Sequence, residues 1–258
     1  MKLSKSMQKE LQKLIQLEQR WLAKEEKSSE LKEKLYEKVP QGLSSTLEKA
    51  FGQAFSFIFL KGTKILEKTY DKSVLEMEHK VADAFVEETP NRKSMKLLDR
   101  KQRRDNLINH VATTATGAGL GVLGMGVPDI PLLVSTILRG IYEVAIAYGF
   151  AYETMEERVY ILQLIRLSLL AGEEKRQEFK VFRQLENERL RINEEVLNCE
   201  IAKTSKALSD ALLVEKFIQG IPVVGVVGGI VNHNVYKKIL YFVKMEYKRR
   251  YILVKGRE

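Results

Sequence analysis

Two apolar stretches crowded with glycine interrupt a chain that is otherwise heavily charged. The first covers residues 113–132 and the second covers residues 220–234. Glycine costs the interior of a helix roughly 1 kcal/mol relative to alanine, so it is expected to cluster where a backbone turns or lies against a neighbour. We therefore predict that both stretches make close contacts. The sequence leaves open whether the contact is with each other, with a lipid bilayer or with a ligand.

Glycines four residues apart in each stretch would lie on one face of a helix and let a second backbone approach. This spacing occurs in membrane helices and also in tight helix crossings of soluble cores. Prolines interrupt both stretches, and a spanning helix needs about 20 continuous apolar residues, so neither is an ordinary transmembrane segment. A shallow or re-entrant hairpin is the strongest membrane interpretation. The predicted close-packing glycines are Gly117, Gly121, Gly124, Gly225 and Gly229.

Asp129 lies between two prolines at the end of the first stretch. Asp is preferred at a helix cap and Pro in the first turn, so Asp129 and Pro131 predict the start of a helix. The alternative is a buried carboxylate with a function of its own.

Most of the remaining chain has apolar residues at helical spacing, with no strand-like alternation. We predict an all-α fold, a multi-helix bundle with two glycine-rich helical hairpins. Residues 1–40 predict an N-terminal amphipathic helix, over 5–38, and residues 41–258 a helical domain. Within that domain, residues 172–206 predict a charged helical arm, solvated and with little core. Further helices are predicted from Ser45, where Ser45 and Glu48 have capping-box spacing, and over 134–150, 155–170 and 235–253.

The aromatic side of the helix that starts at Ser45 is predicted to be core. Its members are Phe51, Phe55, Phe57 and Phe59.

The chain has 43 Lys and Arg against 34 Asp and Glu, a formal net charge of +9, which favours anionic partners. One basic cluster comprises Arg92, Lys93, Lys96, Arg100, Lys101, Arg103 and Arg104. The other lies among tyrosines near the C-terminus, a pattern suited to an anionic membrane surface. Its predicted lipid-facing residues are Lys237, Lys238, Lys244, Lys248, Arg249 and Arg250.

Candidate catalytic and metal-binding residues are not found in the sequence. The single cysteine, Cys199, has no thiol partner, and His79, His110 and His233 lack the spacing of metal ligands. No nucleophile stands beside an obvious base. We therefore expect no catalytic residue, no cofactor and no metal site.

Two separated blocks carry a resemblance to a known family. The first is GLGVLGMGVPDIPLLVSTILRGIYEVAIAYGF, and the second is FIQGIPVVGVVGGIVNHNVYKKILYFVKMEYKRRYI. Together they resemble the EcsC family of bacterial proteins, over roughly residues 38–254. That family is named for a component encoded beside the ATPase and membrane subunit of an ABC exporter, and no biochemical activity is established for it. The motif residues include Asp129, Pro131, Tyr148, Gly149, Pro222 and Asn232.

Together these features predict a non-enzymatic cytoplasmic protein, peripheral to the inner face of the cell membrane. We expect the two glycine-rich hairpins to pack against each other and present an apolar surface to the membrane, and the basic C-terminal helix to bind anionic lipid. Its expected partners are the anionic membrane surface and, as the resemblance implies, subunits of an ABC transport system. One alternative is a soluble all-α module that binds a protein or a hydrophobic ligand. The other is a nucleic-acid-binding helical protein, which is disfavoured because no recognition motif is present.

Overall fold

The computed structural model describes residues 3–24, 42–99, 129–186, 192–218 and 233–256. Residues 113–128 and 220–232, which hold the glycines of the two predicted hairpins, fall outside these ranges. The predictions for Gly117, Gly121, Gly124, Gly225, Gly229, Pro222 and Asn232 therefore lie outside the described residues, as does the predicted boundary at residue 40.

The described residues are helical, with no strand among them, which confirms the all-α fold. The helices in chain order are α1 Lys5–Ala23, α2 Leu43–Phe57, a π-helical turn Ile58–Gly62, α3 Thr63–Glu67, α4 Lys72–Glu88, α5 Arg92–Leu98, α6 Asp129–Ala147, α7 Met155–Leu169, α8 Gly172–Leu185, α9 Glu194–Ile218 and α10 His233–Lys255.

Helix α6 lies at the centre of the bundle and packs against α2, α4 and α10. Its residues 130–147 have a mean hydropathy of 1.6, enough by length and composition to cross a membrane, but 83% of that window is buried within the protein. A predominantly apolar helix that is enclosed by other helices belongs to the protein core, so α6 is a core helix. Among the described residues it is the one helix that meets this test.

The N-terminal helix α1 docks onto α10 through aromatic contacts. Trp21, the single tryptophan of the chain, stacks on Phe242 with ring centroids 4.3 Å apart and meets the edge of Phe179 at 5.6 Å. The buried Lys175 of α8 donates to the backbone carbonyls of Trp21 and Lys24, at 3.0 and 3.2 Å. A cation at the last carbonyls of a helix satisfies acceptors that have no partner within the helix.

The prediction of a solvated arm over residues 172–206 is wrong for the residues described. Phe179 and Phe182 of α8 are buried, and α9 packs along both α2 and α7. The charged residues misled the prediction because several of them are buried in ion pairs. Arg183 contacts Glu246 of α10, and Arg166 contacts Glu200 of α9.

The predicted capping box at Ser45 is not formed. Helix α2 begins at Leu43, after Gly42 with φ +83°, and the Ser45 hydroxyl donates to the Gly42 carbonyl within the first turn. Glu48 instead accepts from the Ser44 hydroxyl at 3.0 Å.

The predicted aromatic core face of α2 is confirmed at three of its four positions. Phe51, Phe55 and Phe59 are buried, while Phe57 is half-buried against the same core.

Helix α7 begins with a side-chain cap at Thr154, whose hydroxyl accepts from the Glu157 amide at 3.2 Å. We expect Thr154→Ala to lower the free energy of unfolding by about 1 kcal/mol, because one amide of the first turn loses its acceptor. Urea unfolding followed by circular dichroism measures this loss. Thr154→Ser keeps the hydroxyl and should stay within about 0.5 kcal/mol of the wild type; an equal loss in both variants would show that the cap is not the cause.

Candidate ligand-binding site

A cavity of about 640 Å³ opens between α4, the end of α5 and the second half of α6. Its apolar wall is formed by Val74, Leu75, Leu98, Val144 and Ala147. Cavities of this size, mostly apolar and with a few polar groups, are typical of small-molecule sites. The remaining lining residues are polar or charged: Tyr70, Asp71, Glu78, Asp99, Arg139, Glu143, Tyr148 and Lys244.

Asp99 accepts hydrogen bonds from two other side chains at the polar wall of the cavity. It follows α5 directly and accepts from the Tyr148 hydroxyl at 2.6 Å and from Lys248 Nζ at 2.7 Å. Burial and the neighbouring Asp99 carboxylate raise the pKa of the Tyr148 hydroxyl well above its ordinary value. Tyr148 therefore stays protonated and acts as a donor. Lys248 also contacts Glu10 of α1 at 3.0 Å, so this wall ties together α1, α5, α6 and α10.

Arg139 forms the opposite polar wall of the cavity. Its Nε donates to Glu143 at 2.9 Å, one turn along α6, and its guanidinium lies 5.9 Å from the centre of the Tyr70 ring. The Arg139 side chain is only 10% exposed, and its Nη1 is buried with no hydrogen-bond partner among the described residues. Burial raises the pKa of the Tyr70 hydroxyl, which also keeps this tyrosine protonated.

A second, smaller concavity of about 240 Å³ lies between α1, α5 and α10, and we call it the basic groove. The groove has more cations than carboxylates. Its carboxylates are Glu10 and Asp99, and each of them contacts Lys248. Tyr241, which is 52% exposed, lies at the same groove. The lining cations are Lys13, Arg92, Lys96, Lys244 and Lys248.

The structure distributes the predicted lipid-facing residues of α10 over several environments. Lys244 and Lys248 line the basic groove, and Lys237 is exposed with Lys238 half-buried beside it. Arg249 pairs with Glu186 at 2.9 Å, and Arg250 forms two contacts with the buried Glu157, at 2.7 and 2.8 Å. Lys248, Arg249 and Arg250 therefore contact carboxylates of other segments, of which only Glu157 is buried, and the lipid-facing role of the six cations stays a prediction.

Of the motif residues within the described ranges, Tyr148 lines the cavity. Gly149, with φ +78°, ends α6 in a Schellman motif, in which the amide of Phe150 donates to the Ala145 carbonyl at 2.9 Å and that of Gly149 to Ile146 at 2.9 Å. Helix α6 begins at Asp129, as predicted, and Pro131 lies in its first turn. The side chain of Asp129 lies outside the described residues, so its capping role stays a prediction.

Sequence reasoning singled out Tyr148 and the cluster at residues 92–104, but not the partners that assemble the site. Asp99 is separated from Lys248 by 149 positions, and Lys13 lies on α1, far from either in sequence. No local spacing connects such residues. Within the described residues, no three of His, Cys, Asp and Glu are placed to hold a metal ion.

Comparisons with known proteins agree with the resemblance of the two blocks. The chain is 27% identical over 129 residues to Protein EcsC of Bacillus subtilis (strain 168), a match that covers 50% of this chain and 52% of that protein. It is 25% identical over 240 residues to Uncharacterized protein YdbA of the same organism, covering 90% of this chain and 87% of that protein. No solved structure matches. The model of the EcsC protein family matches residues 4–252, almost the whole sequence, and on that match the chain belongs to the EcsC protein family.

Proposed function

We propose that this protein is a non-enzymatic accessory protein that binds the anionic inner face of a bacterial cell membrane peripherally. The basic groove is the observation that carries this proposal. Lys13, Arg92 and Lys96 are exposed cations from two different helices that line one concavity, beside the exposed ring of Tyr241. Each cation near an anionic surface contributes about 1 kcal/mol of attraction, and tyrosine rings favour the level of the lipid head groups.

An exposed apolar face on α4 supplies the second element of the proposal. Val74, Met77, Val81 and Phe85 recur at helical spacing and are 48–68% exposed. A connected apolar face of this kind is typical of a surface that meets a membrane or a partner. Helix α4 itself carries more carboxylates than cations, so the electrostatic attraction has to come from the groove. Binding that combines an apolar face with basic residues is stable where neither alone is sufficient.

The decisive experiment is vesicle flotation with a charge-reversed groove. We expect the wild type to float with vesicles containing phosphatidylglycerol and not with pure phosphatidylcholine, and to be released by high salt because screening weakens surface attraction. The variant Lys13→Glu/Arg92→Glu/Lys96→Glu should lose at least tenfold in vesicle affinity, on the order of 1 kcal/mol for each charge.

The matched control is Lys49→Glu/Lys64→Glu/Lys80→Glu, which reverses three exposed cations outside the groove. It changes the net charge of the protein equally, so it should keep most of the vesicle binding. Equal loss in both triple variants would show that only total charge matters and would contradict the proposed site. Retention on double-stranded DNA without any vesicle binding would instead favour the nucleic-acid alternative.

A soluble ligand-binding module is the second candidate function, and the 640 Å³ cavity favours it. This candidate expects the wild type to stay in the soluble fraction at low salt, with no flotation, while a hydrophobic small molecule raises its melting temperature. Stabilisation by a ligand is mass action on the folded state, so its size follows the ligand concentration relative to Kd.

The family resemblance extends the first proposal to an accessory role beside an ABC transport system. Affinity capture of the tagged protein from its native membranes tests this extension. We expect the ATPase or the membrane subunit of an exporter to be recovered with the wild type; recovery of neither, from cross-linked membranes, would contradict it.

A further inference from the structure

We propose that the apolar cavity and the basic groove form one composite site for a single phosphate-bearing amphiphile. The apolar chain of the amphiphile lies in the cavity, and its phosphate contacts the cations of the groove. This inference rests on the proposed function, since it names the lipid chemistry that the groove recognises.

The two concavities are neighbours because they share wall residues. Asp99 and Lys244 line both of them, from the end of α5 and from the middle of α10. A molecule that occupies both spaces passes these two side chains. One end of the composite site is therefore apolar, the other is basic, and a polar pair marks the junction.

The apolar wall of the cavity accommodates an aliphatic chain. Val74, Leu75, Leu98 and Val144 supply aliphatic carbon on three helices, and the volume lies within the range of ligand-sized cavities. Four side chains of the polar wall are paired within it: the Tyr148 hydroxyl donates to Asp99, and Arg139 Nε donates to Glu143. An aliphatic chain in this space is removed from water without breaking those hydrogen bonds.

The groove fits a phosphate through its charge. Its two carboxylates, Glu10 and Asp99, both contact Lys248, which offsets their repulsion of an anion. Lys13, Arg92 and Lys96 add exposed positive charge from α1 and α5. Arginine and lysine in combination are typical phosphate ligands, with arginine offering paired donors and lysine a mobile point charge.

Monododecyl phosphate, kept below its critical micelle concentration, is the probe for this site, and isothermal titration calorimetry is the measurement. We expect the full chain to bind it with one-to-one stoichiometry and at least tenfold more tightly than dodecylphosphocholine, whose head group has no net charge. Inorganic phosphate should bind at least a hundredfold more weakly, because it leaves the cavity empty. Equal affinity for the probe and for inorganic phosphate would overturn the proposal.

Two pairs of variants test whether the apolar chain of the probe binds in the cavity and its phosphate in the groove. Leu75→Trp fills the cavity from a half-buried position on α4, and Val81→Trp adds the same ring on the same helix outside the cavity. Arg92→Glu/Lys96→Glu reverses the groove, and Lys80→Glu is its exposed control. Leu75→Trp and the groove variant should each weaken binding of the probe at least tenfold, while both controls bind the probe like the wild type. All four should keep the wild-type circular dichroism spectrum.

Flotation of the same variants separates this inference from the proposed function. Leu75→Trp should still float with phosphatidylglycerol vesicles, since it leaves both the groove and the exposed face of α4 intact. If Leu75→Trp binds monododecyl phosphate as the wild type does, the composite site is overturned, and only the surface binding remains. The wild type could instead fail to float and still bind the probe, with weaker binding in both the cavity variant and the groove variant. In that case the membrane proposal is contradicted, and the composite site binds an amphiphile that is free in solution.

Discussion

Replacing Arg183 with methionine is expected to lower the free energy of unfolding by about 3–5 kcal/mol, the usual cost of leaving a buried charge without its partner. Both oxygens of Glu246, whose side chain is fully buried, accept from the Arg183 guanidinium at 2.7 Å. The same guanidinium contacts Glu186 and Glu18 and lies over the rings of Phe179 and Phe182. One side chain of α8 therefore joins α1, α8 and α10.

The pH dependence identifies Glu246 as the source of the loss. Burial raises the pKa of Glu246 above its ordinary value, while Arg183 opposes that shift. A carboxyl with a raised pKa in the folded state contributes stability that is present below its unfolded pKa and lost as pH rises through the folded one. Without Arg183 the pKa rises further, so the deficit of Arg183→Met should be smallest near about pH 4 and largest at neutral pH.

Urea unfolding at several pH values, followed by circular dichroism, measures this deficit. Arg176→Met on the same helix is the matched control, because its side chain is 49% exposed and its pair with Glu173 is worth little. It should change stability by less than about 0.5 kcal/mol. The double variant Arg183→Met/Glu246→Gln should recover much of the loss; a deficit that is independent of pH and persists in the double variant would refute the assignment.

Replacing Gly149 with alanine is expected to cost about 2–5 kcal/mol for two separable reasons. Its φ of +78° lies in the left-handed region, which costs a residue with a Cβ roughly 1–2 kcal/mol. An added Cβ would also lie 2.4 Å from Nε2 of His79, an overlap that forces movement and adds about 1–3 kcal/mol. His79 is held in place because its Nδ1 lies 3.0 Å from the Ala147 carbonyl oxygen.

Gly172 offers the matched control, since it has φ +60° and no atom within 4 Å of an added Cβ. Gly172→Ala should therefore show only the backbone cost, about 1 kcal/mol. In the double variant Gly149→Ala/His79→Ala, the overlap is absent, so its loss should be smaller than the sum of the two single losses by at least about 1 kcal/mol. Additive losses would show that His79 is not what excludes a side chain at residue 149. Urea unfolding of the wild type and of the four variants, Gly149→Ala, Gly172→Ala, His79→Ala and the double variant, measures these free energies.

Recurrent apolar residues predicted two of the long helices. The predicted helices over 134–150 and 155–170 correspond to α6 and α7, although α6 begins earlier, at Asp129. The same reasoning failed for residues 172–206, where charged side chains such as Lys175 and Glu200 are buried. A hydropathy pattern counts each charge as solvated, and it has no means of recognising that a carboxylate on a distant helix will neutralise it.

The candidate site was predictable only in fragments. The cluster that starts at Arg92 was visible as a run of basic residues, and Tyr148 was visible as part of a motif. Lys13 had no distinguishing feature, and the cavity has no counterpart in the sequence at all. A cavity is the space left between packed helices, so its volume and lining follow from the way the helices cross.

Helical spacing and the order of the two motif blocks are local properties of the chain, so they were enough to predict the all-α class, the family and the bounds of α7 and α10 to within two residues. Which charges are buried and which line the basic groove follows from the way the helices pack. The sequence does not distinguish Lys237 from Lys248, Arg249 and Arg250, because all four are cations of one helix. In the structure Lys237 is exposed, while the other three contact carboxylates of other segments. The free energy of a charge depends on the dielectric and the partners around it, and folding alone brings those partners within reach.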